Sequence, residues 1–108
     1  DEVWMRKLEE VISKHLHRSD LKITEIAHHL IISERTLRNY IKAYTGLSPL
    51  AYLQKARVDQ AMIFIKMKKF KTVSEIAYAV GFKSSRHFSK CFKDAYGKTP
   101  SDFMKEIN

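Results

Sequence analysis

The chain has 108 residues, 44% of them hydrophobic and 30% charged, with 20 Lys and Arg against 12 Asp and Glu for a net charge of +8. A single Cys excludes an internal disulfide framework, 3 Gly and 2 Pro argue against a turn-rich sandwich or barrel, and no apolar run approaches a membrane span. The length suits one compact domain or two small subdomains sharing a spacer.

Trp4, Leu8, Val11, Ile12 and Leu16 recur at three- and four-residue steps and predict an amphipathic helix over 3–17. A short helix over 23–30 follows, with Ile23, Ile26, Ala27 and Leu30 buried. Ser33 offers an N-cap and Glu34 a first-turn carboxylate for a third helix to about Thr45, with Leu37, Tyr40, Ile41 and Tyr44 inward and Gly46 as its stop. Ser48 and Pro49 restart a helix, the proline in the first helical position where its missing N–H costs nothing. That helix extends to about Lys66, apolar at Leu50 and Leu53 and again at Val58, Ala61, Met62 and Ile65, a pattern suited to two small cores. Residues 66–71 form a basic connector, and Thr72 with Glu75 spells a capping box for a helix over 73–80, broken by Gly81. Ser84 caps a helix over 84–96 with Phe88, Cys91, Phe92 and Tyr96 inward; Gly97 and then Thr99-Pro100 repeat the stop and restart and open a last helix over 100–107. No segment alternates with a period of two, so the reading is all-α, seven helices and no sheet.

The chain repeats itself. Thr24-Glu25-Ile26-Ala27 matches Ser74-Glu75-Ile76-Ala77 fifty residues on, and Leu37, Ile41, Gly46, Ser48 and Pro49 match Phe88, Phe92, Gly97, Thr99 and Pro100 fifty-one residues on. Each copy is a short helix, a turn, and a longer helix, with Ala27 or Ala77 where the two helices cross, which is the outline of a helix-turn-helix. A helical hairpin duplicated only for packing shares that outline. Two copies with a basic, polar outer face on the second helix favour DNA: Arg35, Arg38, Asn39 and Lys42 in the first, Ser85, Arg86, Ser89, Lys90 and Lys93 in the second. Charge is distributed accordingly. Residues 1–20 carry 4 basic and 5 acidic side chains, and the remainder 16 basic and 7 acidic. Helical residues 49–66 span about 27 Å at 1.5 Å per residue, enough with their connections to separate two reading helices by about 34 Å, the distance between major-groove faces on one side of a duplex. The expected units are a first helix-turn-helix over 1–48, a linker helix over 49–67 and a second helix-turn-helix over 68–108.

The stretches Arg57-Val58-Asp59-Gln60-Ala61, Val73-Ser74-Glu75-Ile76-Ala77-Tyr78-Ala79-Val80-Gly81-Phe82, Phe88-Ser89-Lys90-Cys91-Phe92-Lys93 and Gly97-Lys98-Thr99-Pro100 resemble the signature of the AraC/XylS family of bacterial transcription regulators. The resemblance covers 57–100 without a break, and the chain from about 5 to 107 fits that family's double helix-turn-helix domain. It implies a monomeric, homeodomain-like pair of reading units that binds promoter DNA, with RNA polymerase as a further partner, no membrane contact and a cytoplasmic location. By residue it implies base contacts from Arg35, Arg38, Asn39, Ser85, Arg86 and Lys90, and phosphate contacts from Ser33, Thr36, Lys42, Ser84, His87 and Lys93. It further implies an N-terminal sensor or receiver region in a longer chain, in keeping with a start at Asp1 rather than Met. Two departures concern the first copy. Ile31 stands where the second copy has Gly81, and a left-handed backbone there would cost Ile about 1–2 kcal/mol, so a differently shaped turn is expected. Lys22 stands where Thr72 caps the second copy, so the first short helix is expected to lack that cap.

The five His do not assemble a metal site: His28 and His29 diverge by about 100° on a helix, His15 and His17 also diverge, and no Cys or carboxylate cluster completes a set. Cys91, inward beside Phe88 and Phe92, reads as a buried small hydrophobe rather than a nucleophile. No phosphate loop, nucleophile elbow or catalytic carboxylate pair occurs, so neither an enzyme nor a cofactor is expected. The alternatives are a helical module whose basic face binds an acidic protein, and a non-specific DNA-binding protein.

Overall fold

Side-chain caps set most of the helix starts. The computed structural model describes residues 2–107, and within them there are seven helices and no strand. They are α1 (Glu2–His15), α2 (Ile23–His29), α3 (Glu34–Thr45), α4 (Pro49–Lys66), α5 (Val73–Ala79), α6 (Ser85–Tyr96) and α7 (Pro100–Ile107). The hydroxyls of Ser33, Ser48 and Ser84 accept the backbone N–H of Thr36, Ala51 and His87 at 3.0, 3.2 and 3.0 Å. Thr72 and Glu75 close a reciprocal capping box at the start of α5. Lys22, as expected, gives α2 no side-chain cap. Gly46 and Gly97 end α3 and α6 in the left-handed region, at φ 75° and 81°.

Helix α1 stops at His15, two residues short of the expected end, because the carbonyls of Leu16 and Arg18 turn away to accept hydrogen bonds from Arg57 on α4.

Helix α4 is the spine. It packs against α3 on the one hand and against α5, α6 and α7 on the other, burying Leu53, Val58, Ala61, Met62 and Ile65. The two small cores expected from its pattern are one. Leu8, Ile26, Leu37 and Ile41 from the first half join Ile76, Phe88 and Phe92 from the second in a single cluster through α4. The molecule is elongated, 43 × 23 × 22 Å, with a radius of gyration of 14.5 Å where a compact chain of this length has about 13 Å.

Several expected core residues lie elsewhere. Tyr40 and Tyr44 are 39% and 49% exposed: Leu37 and Ile41 fill the inner face of α3, and the two phenol rings stack with each other and with Trp4 of α1 at its edge. Leu50 points outward from the first turn of α4, where Leu53 takes the inner position. Cys91 is only half-buried, beside the fully covered Phe88 and Phe92. Ile23 and Leu30 at the two ends of α2, and Trp4 and Val11 on α1, are half-buried at the margin of the core.

Candidate nucleic-acid interface

Two helices of equal length, α3 and α6, carry the polar faces, and each is fixed from behind by two buried residues one turn apart, Leu37 with Ile41 and Phe88 with Phe92. Anchoring those positions turns the opposite side to solvent. On α3, Arg35, Arg38, Asn39 and Lys42 are exposed and Thr36 is half-buried; on α6, Arg86, His87, Lys90 and Lys93 are exposed, with Ser85 and Ser89 half-buried. The two helices are each held by α4 and do not pack extensively on each other.

The side chains of Arg35, Asn39, Arg86 and Lys90 make no hydrogen bond or ion pair among the described residues, which leaves their donors available. Arg38 differs, since its Nη2 donates to Glu34 Oε1 at 2.6 Å one turn back, which orients the guanidinium and occupies one edge. Lys42 Nζ donates to the Gly46 carbonyl at 3.1 Å, so it is drawn toward the C-terminal end of α3.

The serines at the helix starts are occupied by capping. Ser33 Oγ accepts the Thr36 N–H and donates to Thr36 Oγ1 at 2.9 Å, and Ser84 Oγ accepts the His87 N–H. The donors open at these ends are the backbone N–H groups of Glu34 and Arg35, and of Ser85 and Arg86, which have no acceptor among the described residues. An anion in front of either helix would meet these N–H groups and the positive end of the helix dipole. His87 rests edge-on against Phe82, centroids 5.5 Å apart.

Two residues belong to this surface or its support without being reached by inward–outward counting. Lys83 is exposed immediately ahead of Ser84, before the helix where periodicity begins to inform. Arg57 is 7% exposed inside the linker helix, and an Arg one turn from both Leu53 and Ala61, in register with the buried stripe, is the signal that identifies it.

The turn expected to differ in the first unit does not. Ile31 adopts φ 57° and Gly81 φ 95°, both left-handed. The Ile side chain is 91% exposed, so no packing conflict is added to the left-handed strain.

A family model described as a helix-turn-helix domain matches residues 26–106. Across 78 residues the chain is 40% identical to the HTH-type transcriptional activator RhaS of Mannheimia succiniciproducens, covering 72% of this chain and 29% of that protein. The C-terminal domain of AraT, a response regulator from Geobacillus stearothermophilus, is 30% identical with a TM-score of 0.81, over 95% of this chain and 84% of that one. The DNA-binding domain of AdpA, a global transcriptional factor solved in complex with a target DNA, is 27% identical with a TM-score of 0.78, over 92% and 90%. The chain spans between 8% and 35% of the length of the first curated relatives it matches.

Proposed function

The chain belongs to the AraC-type helix-turn-helix family, and on that premise we propose that it is the sequence-specific DNA-binding domain of a transcription regulator, with α3 and α6 read into successive major grooves. The observation that supports this best is the doubled arrangement itself: two capped helices on one spine, each opening with unpaired backbone N–H groups and an unpaired Arg, on a molecule 43 Å long. That length accommodates two readers about 34 Å apart. In this reading 1–48 and 68–108 are half-site readers and 49–67 is the spacer. Arg35, Arg38 and Asn39, and Ser85, Arg86 and Lys90, meet base edges. Lys42, His87 and Lys93, with the helix starts at Ser33–Thr36 and Ser84, meet phosphates, the last through backbone N–H groups.

The longer protein adds a sensing or receiving region, works in the cytoplasm and meets RNA polymerase at the promoter; the likeness to a domain of a response regulator supports the receiving role. The two readers differ at most outward positions and are related by a helix rather than a two-fold axis. The site is therefore non-palindromic, with two short blocks about 10–11 base pairs apart.

Selection of duplexes from a random pool tests this, followed by titration with salt. With about six phosphates neutralised, affinity falls roughly a thousandfold between 50 and 200 mM salt. Arg86→Ala costs about 1–3 kcal/mol and relaxes preference in one block, while Arg35→Ala does so in the other. A flat salt response, or an Arg86→Ala variant with unchanged base preference, overturns the assignment.

A further inference from the structure

The two halves of the molecule meet at one tightly built point. Arg57, midway along α4, carries its guanidinium back to the end of α1, where Nε donates to the Leu16 carbonyl at 2.9 Å and Nη2 to the Arg18 carbonyl at 2.6 Å. These bonds tie residues 41 and 39 positions apart. No carboxylate pairs with Arg57 among the described residues, and burial alone lowers its affinity for the proton. Its charge is balanced by carbonyls at the negative end of the α1 dipole.

The other side of the same guanidinium is the turn of the second reading unit. A Cβ on Gly81 would lie 2.1 Å from the Leu16 carbonyl oxygen and 2.7 Å from Arg57 Nε, so the turn is in contact with both. The chain then continues from the junction into the first unit: the Arg18 side chain grips Glu25 of α2 through two bonds, 2.8 and 3.1 Å. One buried side chain thus touches the linker, the end of α1 and the α5–α6 turn. Elsewhere the two sets of flanking helices pack within themselves and on α4 rather than extensively on each other.

We propose that Arg57 is a positioning residue for DNA recognition. By locking the end of α1 to the α5–α6 turn through Leu16 and Gly81, it fixes the separation and relative rotation of α3 and α6, and so the base-pair spacing the domain accepts. Two tethered readers gain from each other in proportion to the effective concentration their connection enforces, which a stiff connection raises at one spacing and lowers at others. Arg57 contacts neither reading face; it sets the spacing selectivity and not the preference for bases.

The spacing arm of the test rests on the DNA-binding reading above; a distance arm does not. The probes are a duplex selected by the wild-type chain, versions with one or two base pairs inserted between its blocks, and half-duplexes carrying one block. Each insertion moves the second block by about 3.4 Å and rotates it. The wild type loses about a hundredfold on two insertions; Arg57→Gln binds the native spacing about tenfold more weakly, discriminates against the insertions by only about threefold, and binds each half-duplex as the wild type does. Arg57→Lys, which retains the charge, falls between. In the distance arm, nitroxides on Ala43→Cys and Asp94→Cys in a Cys91→Ala background report the separation of α3 and α6. That distribution is narrow with Arg57 and broadened or shifted with Gln.

Unchanged distributions overturn the proposal even if no duplex is ever selected, an outcome that would sink the DNA reading alone. An unchanged spacing profile overturns it too, as does an equal loss on half-duplexes. Loss of cooperative melting in both variants also counts against it, since Arg57 would then support the fold as a whole.

Discussion

At the turn between its two helices the first reading unit carries Ile31 at φ 57° and the second carries Gly81 at φ 95°. The backbone solution is shared; the surroundings are not. Ile31 is 91% exposed, whereas Gly81 is buried against Leu16 and Arg57. The helix starts differ in the same sense. Thr72 and Glu75 bond reciprocally at α5, while at α2 Lys22 supplies nothing and the corresponding Glu25 is taken by Arg18. Position 57 shows it again, since fifty residues earlier Lys7 is exposed although its neighbour Leu8 is buried like Val58. The second unit is closed by its own local bonds and by the junction with the linker. In the first unit the α2–α3 pair is held by the segment ahead of it, by Arg18 on Glu25 of α2 and by Trp4 stacked on Tyr40 and Tyr44 of α3. A duplicated motif can keep its outline while the reasons for each residue diverge.

The sharpest way to break that contrast is at the turns. Gly81→Ala adds left-handed strain of about 1–2 kcal/mol to an overpacking cost of about 1–3 kcal/mol, since the nearest obstacle is a backbone oxygen that cannot swing aside. Denaturant unfolding is expected to show a loss of about 3 kcal/mol, much of the stability of a domain this size. Ile31→Gly has the opposite sign. It relieves about 1–2 kcal/mol of strain and gives back about 0.5–1 kcal/mol in chain entropy, for a net gain of about 0–1.5 kcal/mol. A loss at Gly81→Ala no larger than the strain relieved by Ile31→Gly would show that φ alone, and not the junction, decides the residue.

The sequence was most readable where a single local rule acts. Ser33, Ser48, Thr72 and Ser84 announce their helices, Gly46 and Gly97 their ends, and the 50- and 51-residue offsets the paired units. What was not readable depended on partners distant in the chain. Nothing near Leu16 signals that Arg57 takes its carbonyl and shortens α1, and nothing near α4 tells that its two apolar patches join one core. Tyr40 and Tyr44 fit the inward stripe by spacing, yet at that edge they stack on Trp4 and on each other and stay exposed. The polar faces of α3 and α6 were legible because the anchors Leu37, Ile41, Phe88 and Phe92 leave one direction open.

Smaller effects come from the caps. Thr72→Ala removes the hydroxyl half of the box, which caps the Glu75 N–H and donates to Glu75 Oε1, leaves the Glu75 carboxylate on the residue-72 N–H, and costs about 1 kcal/mol. Lys22→Thr writes the same Thr-x-x-Glu spacing ahead of α2, but Glu25 is already bound by Arg18, so the new hydroxyl caps the helix without the carboxylate partner that Thr72 Oγ1 finds in Glu75, and the benefit is about half as large. A thermal melt distinguishes the two. A gain at position 22 as large as the loss at position 72 would mean that Glu25 leaves Arg18 to complete the box, and that the ion pair contributes little.

The smallest expected effect is a pH dependence confined to the first unit. Hydrogen bonding and charge from the Arg18 guanidinium hold the Glu25 carboxyl below its ordinary value of 4.5, and Asp20, also bonded to Arg18, is lowered from 3.8. A carboxyl whose folded value is depressed contributes stability that is present above its unfolded value and lost as pH falls through the folded one. The Arg18–Glu25 pair is half-exposed, so the contribution is modest and screened by salt. Glu25→Gln therefore lowers the melting temperature slightly at neutral pH, and the difference from wild type closes as pH falls from the ordinary carboxyl value through the depressed folded one. Added salt narrows the same gap at neutral pH. Because Arg18 also gives its carbonyl to Arg57, a loosened Arg18 side chain could act on the junction as well. That case is recognisable: the difference would then persist below the depressed folded value of Glu25, where the carboxyl is protonated in both states and only the changed packing around Arg18 remains.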